Sequence, residues 1–516
     1  MDTLDIIIEN EVKCKISPCP AFVYRLINDK TKIFDYRSRF TFAYQNKIWD
    51  GYTSFINVGG ETYVQLLPEI LKIFEERKIP YRIIDERVNK GFNPTFEPID
   101  ENYLSDIKWP KGHRLEGQPV ELAEHQVRLV NSILSYKKCL VSAATGAGKT
   151  VVLACLGKKV SEYGRCLIVV PNSDLVLQTH ETLDLMGVDC GRLMGQKYRE
   201  VNHQTVVATW QSLMITTKKA KGKSINSKSE IKEEDINLSQ DELETLLKDL
   251  KCIICDEVHT LTGKEIFKQF TGLFANVALR YGMSGTIPKN KAESIYLKLA
   301  IGDVVENVST KELQEKNFLA DSNVTVIKLK EDFNPTEGLS VAEKQNGKSW
   351  TIEKEYLQSN PKRLDFISNI IASVSSKGNT LVLCTTLKTG HFIEDRLKEQ
   401  GLDVSYIAAS MTSKKRQTEY KSINSETNKI LISTVALAST GLNIPSLNRV
   451  ILIDSGKSFQ KNIQSLGRSL RLAKNKTKAD IFDIGSDIGS SKNHIKERIK
   501  YYKEQGHKYQ ILEVKL

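Results

Sequence analysis

The chain has 516 residues, of which 40% are hydrophobic and 27% charged, and its formal net charge is +11. This length allows about three domains, and the composition is that of a globular protein rather than a disordered one. No apolar run approaches the ~20 residues of a membrane helix, and the acidic N-terminus lacks the positive region of a secretion signal. The nine cysteines, an odd number scattered through apolar runs, are typical of a reducing compartment. We therefore expect a cytoplasmic protein without a membrane partner.

The charge is unevenly distributed along the chain. Residues 1–110 carry 15 Lys and Arg against 17 Asp and Glu, so the basic excess lies downstream of them. An excess of this kind favours a polyanionic partner.

The first 112 residues predict a small α+β module. Between 34 and 44 the even positions are aromatic apart from Ser38, whereas positions 35, 37 and 39 are charged. This period of two predicts a strand with one aromatic and one charged face. The stretch LPEILKIFEERKIP predicts an amphipathic helix that is ended by Pro80.

From about residue 139 the pattern changes to short apolar runs separated by amphipathic helices, which predicts parallel strands buried on both faces. The first runs are CLVSA, RCLIVVP, TVVATW, KCIICDE and ALRYGMSG. The pattern restarts after about 311 with NVTVIKL, NTLVLCT, DVSYIAA, KILIST, RVILIDS and KADIFDIG. We predict two tandem α/β domains with parallel sheets, over 113–310 and 311–516. The polar, lysine-rich segment at about 216–240 is expected to be a mobile insertion, followed by a helix with a capping box of Ser239 and Glu242.

The stretch AATGAGKT follows the run CLVSA and has the form of a phosphate loop. Such a loop presents backbone N–H groups at the start of a helix, and its lysine meets the β- and γ-phosphates of a nucleotide. Thr150 is placed to ligate Mg²⁺. The residues of the candidate nucleotide loop are Thr145, Gly146, Ala147, Gly148, Lys149 and Thr150. The alternative is a chance glycine-rich turn.

Two adjacent acids end the strand KCIICDE. Asp256 is placed to hold Mg²⁺, and Glu257 to orient or deprotonate the water that attacks a phosphate. With a phosphate loop upstream in the same predicted sheet, this pair favours an ATPase over an ordinary acidic strand end. Cys252 and Cys255 have zinc-knuckle spacing, but no second pair accompanies them, so a buried strand is the preferred interpretation.

The stretch QSLGRSLR places Gln464, Arg468 and Arg471 on one face of a predicted helix. Two arginines on one face could form a solvated edge. Beside an ATP site they are better explained as arginine fingers contributed by the second α/β domain.

Taken in order, these motifs resemble those of the superfamily 2 helicases over about 120–490. The resemblance implies two RecA-like motor domains that use ATP and Mg²⁺, with Lys149, Asp256, Glu257, Arg468 and Arg471 in catalysis. It also implies that Gln126 reads adenine, although the arginine that often precedes this glutamine is missing, and that Gly441 and Gln464 contact the nucleotide. The residues implied to couple hydrolysis to movement are His259, Ser284, Gly285 and Thr286. Those implied to contact the nucleic-acid strand are Pro171, Asn172, Gln178, Thr209, Trp210, Gln211, Thr385, Thr386 and Thr440.

The overall layout is most similar to phage recombination-type DNA helicases, whose N-terminal module contains NWDG where this chain has IWDG. This resemblance implies DNA, branched recombination or replication intermediates, and the proteins of those processes as partners, in a host cytoplasm if the chain is phage-encoded. An RNA helicase and a double-stranded DNA translocase without strand separation are the alternatives. Arg37, Arg39 and Trp49 are candidate DNA contacts, although the period of two favours most neighbouring aromatics as module core. Because the motor motifs are complete without residues 1–110, we expect a chain truncated at 111 to keep a DNA-stimulated ATPase.

Overall fold

The computed structural model of the chain divides into two compact units. The first comprises 1–110, 117–143 and 148–307, and the second comprises 308–516 with two short segments, 111–116 and 144–147. The structure describes the whole chain except 1–2, 112–114, 145, 214–237, 259–262, 286, 289–290, 317, 319–320, 341–347, 377, 409–410, 412, 426–427, 439–445, 455, 457–477 and 505–506. Most of the predicted insertion and the whole of QSLGRSLR therefore lie outside the described residues.

The helices are short to medium in length. Those of the first unit are α1 Ala21–Thr31, α2 Phe42–Gln45, α3 Leu67–Glu76, α4 Glu124–Leu134, α5 Lys149–Ser161, α6 Ser173–Leu185, α7 Gln240–Leu247, α8 Gly263–Phe270 and α9 Lys291–Ala300. Those of the second unit are α10 Thr310–Glu315, α11 Lys348–Ser359, α12 Pro361–Val374, α13 Leu387–Glu399, α14 Ser413–Ser425, α15 Val435–Ala438 and α16 Gly489–Glu504. Within the described ranges, no helix has the length and apolarity needed to cross a bilayer.

The first α/β domain is built on an eight-stranded sheet of order β12-β11-β13-β10-β14-β15-β9-β16. Its strands are β9 Lys138–Ala143, β10 Arg165–Val170, β11 Cys190–Met194, β12 Tyr198–Arg199, β13 Thr205–Thr209, β14 Leu250–Asp256, β15 Leu279–Ser284 and β16 Val304–Val308. The strands from β11 to β9 in this order are parallel, and β12 is antiparallel to β11. The five predicted strands are thereby confirmed. Because parallel strands share one carboxyl edge, the segments that follow them meet there.

The second α/β domain has a seven-stranded sheet of order β19-β20-β18-β21-β22-β17-β23. Its strands are β17 Asp321–Lys330, β18 Asn379–Cys384, β19 Val404–Ile407, β20 Ile430–Thr434, β21 Leu447–Ile453, β22 Lys478–Ser486 and β23 Lys508–Lys515. Every neighbouring pair is parallel. All six predicted strands are confirmed, and β23 adds an edge strand that the sequence patterns did not reveal.

The N-terminal module is a four-stranded sheet of order β5-β2-β1-β6 with helices α1 and α3. Its sheet strands are β1 Leu4–Ile8, β2 Lys13–Ser17, β5 Glu61–Tyr63 and β6 Tyr81–Asp85. Two small ribbons accompany it, β3 Ile33–Phe34 with β4 Tyr52–Thr53 and β7 Leu104–Lys108 with β8 Pro119–Val120. The α+β class is confirmed, as is the helix before Pro80.

The strand predicted over 34–44 is wrong. Only Ile33–Phe34 is extended, and it is followed by a 3₁₀ helix at Tyr36–Phe40 and by α2. Asp35 caps the first of these by accepting the N–H of Arg37 at 3.0 Å, and Thr41 caps α2 through the N–H of Tyr44 at 3.3 Å. Local side chain–backbone hydrogen bonds of this kind compete with strand pairing, and here they override the alternation.

We call residues 33–53 the aromatic loop. Its aromatic side chains were expected to form the module core, and this expectation is also wrong. Tyr36, Phe40 and Phe42 are 65%, 85% and 75% exposed. The core of the module is formed instead by the sheet and by α1 and α3, with residues such as Ile6, Ile27 and Phe74.

The module shares its core with the first α/β domain. The buried cluster of the module includes Leu299 of α9, and Phe267, Ile295 and Tyr296 pack against it. The side-chain amide of Asn131 in α4 accepts the N–H of Ile99 and donates to its carbonyl, each at 2.9 Å. Accordingly, residues up to 110 belong to the same compact unit as that domain.

Candidate active site and strand-contact surface

The phosphate loop connects β9 to α5, as the sequence predicted. Gly146 and Gly148 have φ of +94° and +75°, a region that glycine enters without the penalty of a side chain. A Cβ at Gly148 would also lie 2.1 Å from Nε2 of Gln126. Glycine at 148 is therefore favoured by the backbone, and a side chain there would displace the amide of Gln126. Thr145 lies outside the described residues.

Gln126 lies in the first turn of α4, against this loop. Its Oε1 accepts the N–H of Ala123 at 2.9 Å, which fixes the orientation of the amide. The structure thus brings the predicted adenine reader beside the predicted phosphate loop, from which it is separated by about twenty residues of sequence.

Lys149 and Glu257 meet although 108 positions separate them, with Nζ and Oε1 2.5 Å apart. Their side chains are only 10% and 7% exposed. Asp256 accepts the N–H of Glu257 at 2.9 Å, and Glu257 has φ of +52°. Such a backbone costs a non-glycine residue ~1–3 kcal/mol and is typical of functional sites. The lysine of the loop and the two acids of β14 therefore form one buried charged site.

The donor set at this site suits Mg²⁺ held together with a phosphate substrate. Asp256 supplies a carboxylate at the end of β14, and Thr150 a hydroxyl in the first turn of α5. Within the described residues, no group of three or more His, Cys, Asp or Glu could hold a metal by itself. Mg²⁺ usually takes one or two carboxylates and completes its shell with water and substrate phosphates, so these donors fit it.

The cysteines with zinc-knuckle spacing lie within β14, as the preferred interpretation had it. Both are buried, and Cys252 is the register partner of Cys166 in β10. Burial raises the pKa of the Cys255 thiol, which keeps it protonated and therefore a poor metal ligand.

Two of the predicted strand-contact segments lie side by side at the carboxyl edge of the sheet. Asn172 caps α6 by accepting the N–H of Leu175 at 2.9 Å. Nε2 of Gln211 donates to the carbonyl of Pro171 at 3.4 Å. Gln211 is exposed, and Gln178 in α6 is half-buried.

Trp210 does not fit its predicted role. It is 1% exposed and belongs to the core of the first α/β domain, so its side chain cannot contact a nucleic-acid strand. Thr209 is 5% exposed, and its hydroxyl accepts the N–H of Ser212 at 3.3 Å. The Thr209 hydroxyl therefore has a capping partner within the protein, and its contact with a nucleic-acid strand stays a prediction.

In the second α/β domain, Thr385 is exposed after β18, and its hydroxyl accepts from Nε2 of Gln358 at 3.1 Å. Thr386 caps α13 through the N–H of Thr389 at 3.4 Å. In the first domain, Ser284 is fully buried at the end of β15, and Gly285 follows it. The remaining predicted site residues lie outside the described part of the chain: His259, Thr286, Thr440, Gly441, Gln464, Arg468 and Arg471.

The aromatic loop presents cations together with its rings. Arg39 is exposed, and its guanidinium lies 5.6 Å from the ring centres of Phe34 and Tyr36. Trp49 has an internal role, because its Nε1 donates to the carbonyl of Tyr52 at 2.7 Å. Arg37 is paired with Glu293 of α9, Nη1 to Oε1, at 2.8 Å.

A buried charge cluster was missed by sequence reasoning. Nζ of Lys138, the first residue of β9, lies 2.8 Å from the carboxylate of Glu11, which is 3% exposed. Burial lowers the pKa of Lys138 to about 8 and that of Arg280 in β15 to about 9. A lysine and an arginine within otherwise apolar strands were visible signals. The partner of Lys138, Glu11 from a turn of the N-terminal module, was not visible in this way. Arg280 instead donates to the backbone carbonyls of Phe274, Ala275, Val277 and Ala300.

Two parts of the chain match known protein families. Residues 119–289 match the family "Type III restriction enzyme, res subunit", and residues 362–473 match the "Helicase conserved C-terminal domain". The chain is 24% identical over 483 residues to the ATP-dependent DNA helicase uvsW of Enterobacteria phage T4, which covers 90% of this chain and 87% of that protein. The chain is a superfamily 2 helicase. Its enzymatic activity is ATP hydrolysis coupled to helicase action, as the motifs predicted.

Two solved structures share the fold of this helicase. Dbp5 of S. cerevisiae, bound to RNA and ADP BeF3, has a TM-score of 0.54 at 15% identity and covers 77% of this chain and 90% of its own. A putative HsdR subunit of a type I restriction enzyme from Vibrio vulnificus YJ016 has a TM-score of 0.51 at 16% identity. The match covers 76% of this chain and 67% of that one. The two α/β domains of the helicase accordingly have the RecA-like fold.

Proposed function

We propose that this helicase acts on DNA, and that it uses ATP to move along one strand and to unwind or branch-migrate recombination and replication intermediates. The similarity to a phage DNA helicase over 90% of the chain supports DNA as the substrate. The basic excess outside residues 1–110 supplies the sequence-independent attraction to a phosphate backbone. An RNA helicase and a double-stranded DNA translocase without strand separation are the alternatives.

The contact between Lys149 and Glu257 is the observation that supports the ATP chemistry most directly. The β- and γ-phosphates of ATP would replace the carboxylate as the partner of Lys149, since phosphate oxygens accept its N–H donors strongly. Glu257 would then be released to accept a proton from the water that attacks the γ-phosphate. Nucleotide binding and activation of the base are thereby linked through one lysine.

The other predicted residues complete this site in the proposal. Mg²⁺ would be held by Asp256 and Thr150 and would neutralise phosphate charge. Gln126 would accept and donate to adenine, while Arg468 and Arg471 would stabilise the charge of the transition state.

The strand contacts are assigned to side chains that the structure leaves at the surface. Gln211 and Thr385 are exposed, and Asn172 is partly so. Polar groups of this kind bind phosphate and sugar oxygens without regard to sequence. ATP-dependent closing and reopening of the two motor domains on such contacts would advance the protein along the strand.

The N-terminal module is assigned to substrate selection, through the aromatic loop. A base stacked on an exposed aromatic ring gains ~1–3 kcal/mol, and the loop offers Tyr36, Phe40 and Phe42. Arg39 adds a cation for the backbone. A fork exposes unpaired bases of a second strand beside its single-stranded track, and linear duplex does not.

Unwinding of forks, four-way junctions and tailed duplexes with ATP tests this function. A Phe40→Ala, Phe42→Ala double variant should keep unwinding of tailed duplexes and lose most of its preference for forks. Val58→Ala is the matched control, because Val58 is a module residue outside the loop that is 80% exposed. If the double variant discriminates forks as well as Val58→Ala does, selection by the loop is wrong.

A further inference from the structure

An exposed ion pair and a packed base beneath it link the aromatic loop to the first motor domain. Arg37 donates to Glu293 of α9 at 2.8 Å, and the two side chains are 58% and 28% exposed. Beneath the pair, Tyr296 of α9 packs edge-on against Phe55 of the module, with ring centres 5.6 Å apart, and Tyr296 in turn lies 5.4 Å from Phe267 of α8. The base is thus apolar and packed, whereas the pair above it is open to solvent.

Helix α9 is a connection between the loop and the coupling motif. It begins six residues after Gly285, which directly follows Ser284, the last residue of β15. At the other end of the helix, Nη1 of Arg280 in β15 donates to the carbonyl of Ala300 at 3.1 Å. Helix and strand are therefore joined by a buried hydrogen bond as well as by sequence.

We propose that the Arg37–Glu293 pair is a substrate-sensing latch, in which a DNA phosphate replaces Glu293 as the partner of Arg37 and so reports a bound branch to α9 and β15. This inference rests on the proposed action on DNA and on the aromatic loop as the branch-binding element. Arg37 is then a positioning residue that exchanges partners.

The exposure of the pair makes the exchange feasible. A solvent-exposed ion pair changes an equilibrium by no more than about fivefold. A phosphate accepts two of the five N–H groups of a guanidinium in a bidentate contact of at least equal strength. By contrast, the pair of Glu11 and Lys138, with side chains 3% and 11% exposed, is too deeply buried for a ligand to reach. Asp35, which lies 3.3 Å from Nε of Arg37, moves with the loop and keeps the guanidinium oriented in either state.

In this latch Glu293 and a DNA phosphate compete for Arg37. By linkage, Glu293 weakens DNA binding by the same factor by which bound DNA weakens the ion pair. Glu293→Gln removes the competing charge and keeps the shape of the side chain. It should lower the fork concentration that half-saturates the ATPase by about two- to fivefold, and it should raise the ATPase measured without DNA.

Glu69→Gln is the matched control. Glu69 of α3 also pairs with α9, through Lys298 at 3.2 Å, but it lies outside the aromatic loop. The full-length wild type, Glu293→Gln and Glu69→Gln are titrated with a fork and with linear single strands, and their melting temperatures are compared. The latch predicts a shift for forks in Glu293→Gln and none in Glu69→Gln.

The same titrations distinguish a failure of the latch from a failure of the proposed function. If forks stimulate the wild type and Glu293→Gln coincides with Glu69→Gln, or needs more fork than the wild type, the latch is wrong and the proposed function stands. If no DNA stimulates the wild type, the proposed function fails and the latch with it.

Discussion

Glu11→Gln should destabilise the first motor domain, although Glu11 belongs to the N-terminal module. The substitution keeps the size of the side chain and removes the carboxylate that lies 2.8 Å from Nζ of Lys138. Removing one partner of a buried ion pair typically costs ~3–5 kcal/mol. Lys138 keeps its hydrogen bond to the backbone carbonyl of residue 11 at 2.7 Å. Arg87, which also pairs with Glu11, keeps its ion pair with Asp85 at 2.6 Å. We therefore expect Glu11→Gln to lower the free energy of unfolding by about 3 kcal/mol at pH 7, the low end of this range.

The stability lost in Glu11→Gln should be smaller at higher pH. Burial lowers the pKa of Lys138 from 10.5 to about 8, so between these values the unfolded chain binds more protons than the folded one. The contribution of this group to the free energy of unfolding consequently rises with pH over that window. Glu11 raises the pKa of Lys138, so in Glu11→Gln the lysine loses its proton at a lower pH than in the wild type. Near pH 9.5 Lys138 is mostly neutral in both proteins, and the difference between them should fall to about 1 kcal/mol.

Tryptophan fluorescence during urea unfolding can measure this selectively. Of the four tryptophans, Trp49, Trp109 and Trp210 belong to the first unit, so a Trp350→Phe background reports that unit alone. The double variant Glu11→Gln, Lys138→Met is the control. Because it removes both charges, it should recover part of the stability that Glu11→Gln loses. A loss below about 1 kcal/mol at pH 7, or one that does not change between pH 7 and 9.5, would show that Glu11 and Lys138 do not form a stabilising buried pair.

Four further results are expected. Glu257→Gln should stop ATP turnover while ATP binding persists, because Lys149 and Asp256 remain; near-normal turnover in a hydrolysis assay would contradict the base assignment. Gly148→Ala should abolish ATP binding, whereas Gly117→Ala should not, because Gly117 has a similar φ of +77° but nothing near its Cβ; equal nucleotide binding in a fluorescent-ATP titration would sink this argument. Replacing residues 216–236 by a short Gly/Ser linker should leave the melting temperature and basal ATPase unchanged, since the segment is polar and aperiodic, and a fall in either would show that it packs on the motor. A chain truncated at 111 should melt well below the full chain, because it loses Glu11 and uncovers Leu299, Phe267 and Tyr296; an unchanged melting temperature and ATPase would favour the independent motor that the motifs alone suggest.

The two motor domains could be predicted because their strands are continuous apolar runs followed by motif residues. CLVSA and KCIICDE read as buried parallel strands from hydrophobicity alone. Since parallel strands share a carboxyl edge, Lys149 and Glu257 could be expected near each other without any knowledge of distance. The contact between them required the structure, as did the left-handed backbone at Glu257.

The predictions that failed did so where local or long-range contacts override a pattern. The alternation at 34–44 was overridden by the caps of Asp35 and Thr41, which hold their segments in helical turns. Trp210 lies in a segment that resembles a strand-contact motif, but its ring fills the domain core. The partnership of Glu11 with Lys138 joins residues 127 positions apart, and no periodicity carries that information.

The proposed function couples ATP hydrolysis to work on DNA. The most direct test measures ATPase rate and strand separation together, on a forked DNA and on an RNA fork of the same sequence, with Glu257→Gln as the blank. We predict that the DNA fork stimulates hydrolysis and is unwound only with ATP. The RNA fork should neither stimulate hydrolysis nor be unwound to a comparable extent. Stimulation and unwinding confined to RNA would contradict it, as would DNA-stimulated hydrolysis without any strand separation or branch migration.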